Sequence, residues 1–198
     1  MDKKVRKKLA VFASGSGTTL QAIIDAIGSE NLDSSIALVV SDVYDAYALQ
    51  RAANAGIPTY TIKATKNGEM DTELVEVLAQ FDLDLVVLAG YLRMIGPKML
   101  SKYVIINTHP SLLPKYGGKG MHGMHVHQAV VDGKEAETGV TVHFVDDKYD
   151  HGQVIRQTKV PVYETDTAED VSTRVQAAEK PQLVSVLRDF SEGKIFCN

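Results

Sequence analysis

Asn107 and His109 stand two residues apart at the end of an apolar run, in the stretch Asn107-Thr108-His109-Pro110-Ser111-Leu112-Leu113-Pro114. Alternate residues of an extended segment point to one side, so the amide and the imidazole converge just beyond a strand. A neutral amide donor beside an imidazole suits stabilisation of a developing oxyanion combined with acid–base work. The same residues also make a capped turn with a hydrogen-bonded histidine, and spacing alone does not choose between the two. A second group, Ser14-Gly15-Ser16-Gly17-Thr18-Thr19, precedes a helical pattern. Its glycines allow close backbone approach, while amides at a helix start and the hydroxyls donate to an anion. Leu20 stands where the dinucleotide fingerprint needs a small residue, and no Gly-Lys-Ser/Thr follows, so a phosphomonoester is favoured over NAD or ATP.

A third group is the acidic turn Asp146-Asp147-Lys148-Tyr149-Asp150-His151-Gly152. Turns use Asp and Gly for backbone reasons, so Asp150 gains chemical interest only if folding brings it to His109, where it would orient the ring and favour its protonated form. His122, His125 and His127, with His143 and His151 further on, raise a metal reading. No cysteine or carboxylate accompanies them at ligand spacing, and the expectation is no metal. Gly15-Ser16-Gly17 lacks the spacing of a nucleophile elbow.

Short apolar runs alternate with helical patterns and must position these groups. LAVFA precedes a helix over TTLQAIIDAI, IALVVS precedes one over AYALQRAANAG, and PTYTI precedes one near Met70 to Gln80; DLVVLAG, a short helix from Pro97, and VIIN follow. Continuously apolar strands separated by helices predict a doubly wound, mostly parallel sheet with helices on both faces, an α/β fold. Beyond residue 107 the pattern predicts a loop rich in Pro, Gly and His, a helix near His125 to Asp132, strands in TGVTVHFV and QVIRQTKVPV that add antiparallel pairing, and C-terminal helical segments. No linker or repeat interrupts the chain, so residues 1–198 are expected to form a single domain.

The chain has 198 residues, 44% of them hydrophobic and 23% charged, with a formal net charge of −4, values of a globular protein without a polyphosphate-binding field. No nucleic-acid partner is expected. The basic start, with Lys3, Lys4, Arg6, Lys7 and Lys8, is followed by an apolar run too short for a signal peptide, and no run approaches the ~18 apolar residues of a membrane span. The single cysteine, Cys197, cannot form an internal disulfide. A cytoplasmic setting without membrane partners is expected, as a monomer or homodimer.

Several blocks together resemble a known family. SGSGTTLQAI, LAGYLRMIGP, INTHPSLLPKY, MHVHQAV and TGVTVHFVDDKYDHGQVI occur in the order found in the folate-dependent phosphoribosylglycinamide formyltransferases, from about Leu9 to the C-terminal helix. The resemblance implies formyl transfer from 10-formyltetrahydrofolate, a cosubstrate rather than a tightly bound cofactor, to the amine of glycinamide ribonucleotide in purine biosynthesis. It further implies catalysis by Asn107, His109 and Asp150. Gly15, Gly17, Thr18 and Thr19 would hold the phosphate, with Gln176 and Glu179 near the sugar. Leu92, Arg93, Met94 and Ile95, together with Asn107, Asp146, Asp147, Tyr149 and Asp150, would bind the folate. The chain departs from the family at Thr19, where Asn is common, in a longer loop from Gly117 to Gly123, and at Lys180-Pro181 after Glu179. An arginine that some members use near the third strand has no match, and Lys63 or Lys66 stands closest in position. Two other readings remain at this point: a formyltransferase acting on a different amine, such as that of a sugar nucleotide, and a non-catalytic sensor of a phosphorylated metabolite.

Overall fold

A computed structural model describes residues 6–195; Lys3, Lys4 and Cys197 lie outside them. The chain divides into two compact units, one formed by the chain up to Ile106 together with the stretch from Leu187 onward, the other by Asn107–Val186.

In the first unit, β1 (Lys7–Phe12), α1 (Thr18–Gly28), β2 (Ser34–Ser41), α2 (Tyr47–Asn54), β3 (Thr59–Thr61), α3 (Asn67–Leu78), β4 (Leu85–Leu88) and α4 (Pro97–Lys102) follow the predicted alternation. The strand order is β3-β2-β1-β4, continuing to β5 (Ile105–His109), and β1 pairs in parallel with both β2 and β4. Leu9, Ala10, Val11 and Phe12 on β1 and Val86 and Val87 on β4 are fully or almost fully buried, which explains why these strands read as unbroken apolar runs. Phe12 meets Tyr91 edge-on, with ring centroids 5.3 Å apart.

After β1 the chain turns to β2 on one side, and after β4 it proceeds to β5 on the other. Such a reversal opens a crevice beyond the carboxyl ends of the two central strands, where open α/β sheets take ligands. Ser14–Thr19 leaves β1 there and Leu92–Ile95 follows β4; the Ser14 N–H donates to the Gly90 carbonyl at 3.0 Å, tying the two loops together. At Gly17 the backbone takes φ 68°, and a Cβ there would lie 2.7 Å from the Ala48 Cα, whereas nothing stands within 4 Å of one at Gly15. The loop therefore needs glycine at position 17 for both conformation and space.

The second unit takes over in the middle of β5, at Asn107, and adds α5 (Met124–Asp132), β6 (Glu137–Phe144), β7 (Val154–Pro161) and α6 (Ala168–Ser191), whose last turn belongs to the first unit. The order is β5-β6-β7, with β6 and β7 antiparallel. This is the mostly parallel α/β arrangement with antiparallel pairing in the C-terminal half. Val130, Val140, Val160, Val171 and Val175 form a core cluster in the second unit.

The expected C-terminal helical segments are one 24-residue helix with Pro181 inside it. An interior proline costs about 3 kcal/mol. Burial of Val171, Val175 and Leu183 opposes that cost, as does Gln182, whose Nε2 donates to the carbonyls of Val140 (3.3 Å) and Arg156 (2.8 Å). No helix among the described residues is long and apolar enough to cross a membrane.

Candidate active site

Asn107 and His109 occupy the last half of β5 and face Asp150, which the turn between β6 and β7 presents. Asp150 sits at φ 55°, a left-handed conformation that Asp tolerates better than most residues. Its Oδ1 lies 3.5 Å from Asn107 Nδ2 and 3.4 Å from His109 Nδ1, and its Oδ2 accepts the Gly118 N–H at 2.9 Å. Sequence spacing aimed the amide and imidazole to one side; the fold supplies the carboxylate between them.

The remaining nitrogen of His109, Nε2, lies 2.8 Å from the Tyr116 carbonyl, so it carries the hydrogen. With Nδ1 towards Asp150, both ring nitrogens face acceptors, and a second proton on the ring has a place ready. His109 is only 4% exposed. Burial pushes its pKa below 6.5 and outweighs the upward pull of Asp150 and the Tyr116 carbonyl, with His143 adding to the downward side. Asp150 thus favours the protonated ring, as expected, but burial outweighs it. Burial also pushes the Asp150 carboxyl up, but His143, His109 and the Gly118 N–H together overcome it, so Asp150 remains ionised below the usual carboxylate range.

His143, which the sequence reading weighed only among the histidines of a metal reading, is 2% exposed and completes the cluster. Its Nδ1 donates to the Phe144 carbonyl at 2.8 Å, so the neutral ring turns the Nε2 lone pair to Asn107 Nδ2 at 3.1 Å. That contact fixes the amide with its NH2 towards the site. The same nitrogen lies 3.7 Å from Asp150 Oδ1. A signal existed in the sequence: a histidine inside TGVTVHFV, a strand without a solvated face, must find buried partners. The Tyr116 carbonyl and Gly118 N–H are backbone groups and left no such trace. Gly117 beside them is explained by space, since a Cβ there would sit 2.5 Å from Leu113 Cδ2 and 3.2 Å from the Asp150 Cβ.

His127 is 3% exposed, and its Nδ1 has no hydrogen-bond partner. Burial first, then repulsion from the charge His109 carries once protonated, pushes its pKa below 6.5. Unfolding restores the ordinary affinity of both histidines for protons, so their shared contribution to stability is present above 6.5 and is lost as pH falls below it. Thermal melts are expected to show a falling Tm from pH 7 towards pH 5, and His127→Leu to flatten part of that fall; a flat profile in the parent protein would contradict the assignment. Among the described residues no group of three or more His, Cys, Asp or Glu side chains could hold a metal ion.

The other expected residues divide between the units. In the first, α1 begins at Thr18 with Gly17 before it and no side-chain cap, Thr19 is buried, and Gly15 is exposed. Leu92 and Met94 expose 53% and 40% of their surface, whereas Ile95 is 4% exposed and offers a ligand little beyond its backbone. Lys66 pairs with Glu69 at 3.8 Å, and the Lys63 N–H donates to Glu73 at 2.8 Å. In the second unit, Asp146 accepts the Lys148 N–H at 2.9 Å, while Asp147 and Tyr149 are exposed. Gln176 is exposed and donates to Ser172 at 3.1 Å, and Glu179 is half-buried.

Comparison with known proteins decides what this cluster belongs to. A family model described as formyl transferase matches residues 7–187. The phosphoribosylglycinamide formyltransferase of Haemophilus influenzae is 39% identical over 96% of this chain and 89% of its own length, and that of Escherichia coli K12 is 38% identical over 94% and 88%. The chain belongs to the phosphoribosylglycinamide formyltransferase family. The crystal structure of glycinamide ribonucleotide transformylase 1 from Symbiobacterium toebii superposes with a TM-score of 0.90 at 36% identity, covering 98% of this chain and 91% of the other. As a member of the formyltransferases the chain is an enzyme, and the matched region contains every expected site residue from Gly15 to Glu179.

Proposed function

We propose that the chain transfers the formyl group of 10-formyltetrahydrofolate to the amine of 5-phosphoribosylglycinamide, giving formylglycinamide ribonucleotide and tetrahydrofolate in purine biosynthesis. The observation that carries this reading is the convergence of an amide donor, a buried imidazole and an ionised carboxylate, Asn107, His109 and Asp150, in a formyltransferase. Residues 1–198 act as a single formyltransferase domain, a reading supported by the family match running through both compact units.

The chemistry follows from the groups present. The neutral glycinamide amine attacks the formyl carbon, a C–N bond forms, and the carbonyl oxygen becomes an oxyanion. Asn107 Nδ2 donates to that oxygen. The His109 Nε2–H, bound to the Tyr116 carbonyl in the free protein, exchanges one oxygen acceptor for another as the oxyanion develops; catalytic hydrogen bonds are commonly made only in the reacting complex. His109 Nδ1 takes up the proton shed by the amine, and Asp150 stabilises the imidazolium so formed until it gives that proton up. The proton shed by the amine passes to the departing folate nitrogen as its bond to the formyl carbon breaks. A preorganised donor of this kind is typically worth about 2.7–4 kcal/mol.

Gly15, Gly17, Thr18 and Thr19 receive the phosphate, with Gln176 and Glu179 at the sugar. Leu92, Arg93, Met94 and Ile95 receive the folate, with Asn107, Asp146, Asp147, Tyr149 and Asp150. The folate is consumed as a cosubstrate, and the reaction calls for no metal or resident cofactor. The setting we assign is cytoplasmic, the small-molecule substrates are the only partners required, and the assembly is a monomer or homodimer. A test separates this acceptor from a nucleotide-sugar amine. Removing the phosphate from glycinamide ribonucleotide is expected to lower kcat/KM by about a hundredfold or more, since charge-assisted bonds to an anion are lost. Equal use of both acceptors would remove the phosphate site from the reading.

A further inference from the structure

Asp42 joins the anion loop and the folate segment of the first unit. It stands immediately beyond β2, and its side chain is only 10% exposed. One carboxylate oxygen accepts the Ser14 hydroxyl, and the other accepts the Arg93 Nε–H at 2.9 Å. A serine hydroxyl rotates freely and can donate or accept. With its hydrogen drawn to Asp42, Ser14 Oγ turns a lone pair to the Leu92 N–H, which donates to it at 3.0 Å. Ser14 opens the anion loop, and Leu92 and Arg93 open the folate segment.

We propose that Asp42 is a positioning residue that sets both substrate-binding segments, the anion loop through Ser14 and the folate segment through Leu92 and Arg93. The proposal rests on the site reading given above. The start of α4, which follows the folate segment, is held independently by a second carboxylate. Buried Asp71 of α3 accepts the N–H groups of Lys98 and Met99 at 2.8 and 3.0 Å, and it packs so closely that a Cβ at Gly96 would collide with it. Asp42 is thus the anchor at the end where Leu92 and Arg93 meet a ligand. By taking Nε, it also leaves the other guanidinium N–H groups, on a side chain 42% exposed, for a bound molecule.

The two oxygens of Asp42 do different work, and two substitutions separate them. Asp42→Asn removes the negative charge that strengthens the Arg93 contact but keeps a hydrogen-bonding partner for the neutral Ser14 hydroxyl; Asp42→Ala removes both contacts. Loss of one charge-assisted bond corresponds to a change on the order of tenfold. Asp42→Asn is expected to raise KM for 10-formyltetrahydrofolate by that factor, with KM for glycinamide ribonucleotide and kcat within about twofold of the parent. Asp42→Ala is expected to raise both KM values. Titration calorimetry with tetrahydrofolate should show the same rise in Kd for Asp42→Asn without any reaction taking place. A generalised structural defect would instead lower kcat in both variants in step with their thermal stability, and would overturn the proposal. Parent turnover accompanied by an unchanged tetrahydrofolate Kd and unchanged KM values in both variants overturns the role of Asp42 alone. Absence of acceptor-dependent turnover in the parent overturns the functional reading, and this proposal with it.

Discussion

Asp150→Asn is expected to lower kcat by about 10²–10⁴-fold, the range associated with loss of positioned acid–base catalysis, while KM for either substrate moves little. The substitution preserves shape and leaves an oxygen for the Gly118 N–H, so the turn can be retained. What it removes is the negative charge. That charge pulls the His109 pKa upward against burial, so without it the imidazole becomes still harder to protonate at the moment when the amine sheds its proton. Steady-state kinetics across pH would read both effects together: a depressed kcat, and a limb belonging to His109 displaced towards acid. Unchanged turnover in Asp150→Asn would remove the carboxylate from the mechanism.

Asn107→Ala is expected to cost about 10²–10³-fold in kcat, as for removal of one preorganised oxyanion donor. It should carry a second signature that Asp150→Asn lacks. His143 Nε2 loses the Asn107 N–H it faces at 3.1 Å and is left as a buried acceptor, a loss typically worth about 1–3 kcal/mol of stability. Chemical denaturation of Asn107→Ala would reveal that cost. A variant with full stability and full kcat would show that the Asn107–His143 contact neither orients a catalytic donor nor supports the fold.

Much of this was legible in the sequence, for identifiable reasons. The continuously apolar runs on β1, β2 and β4 could belong only to strands buried on both faces, and the alternation with helices fixed their parallel sense. Asn107 and His109 could be paired because residues two apart in a strand share a side, a local rule. Asp150 lies 41 positions further on, beyond β6; only the family resemblance, and no local rule, joined it to His109. Protonation was the least legible feature. Asp150 beside His109 raises the pKa of the ring, and only the depth of burial, which depends on the whole second unit, outweighs that pull. Pro181 sits inside α6 because the buried valines of that helix and the bonds of Gln182 to two strands outweigh its local penalty.

The most direct test is to mix the purified protein with 10-formyltetrahydrofolate and glycinamide ribonucleotide and follow the folate absorbance, with His109→Ala and acceptor-free controls alongside. The structure predicts tetrahydrofolate release that depends on the acceptor and is abolished, or reduced by several orders of magnitude, in His109→Ala. Release that proceeds equally without acceptor, or is undiminished in His109→Ala, would contradict formyl transfer by the Asn107–His109–Asp150 cluster.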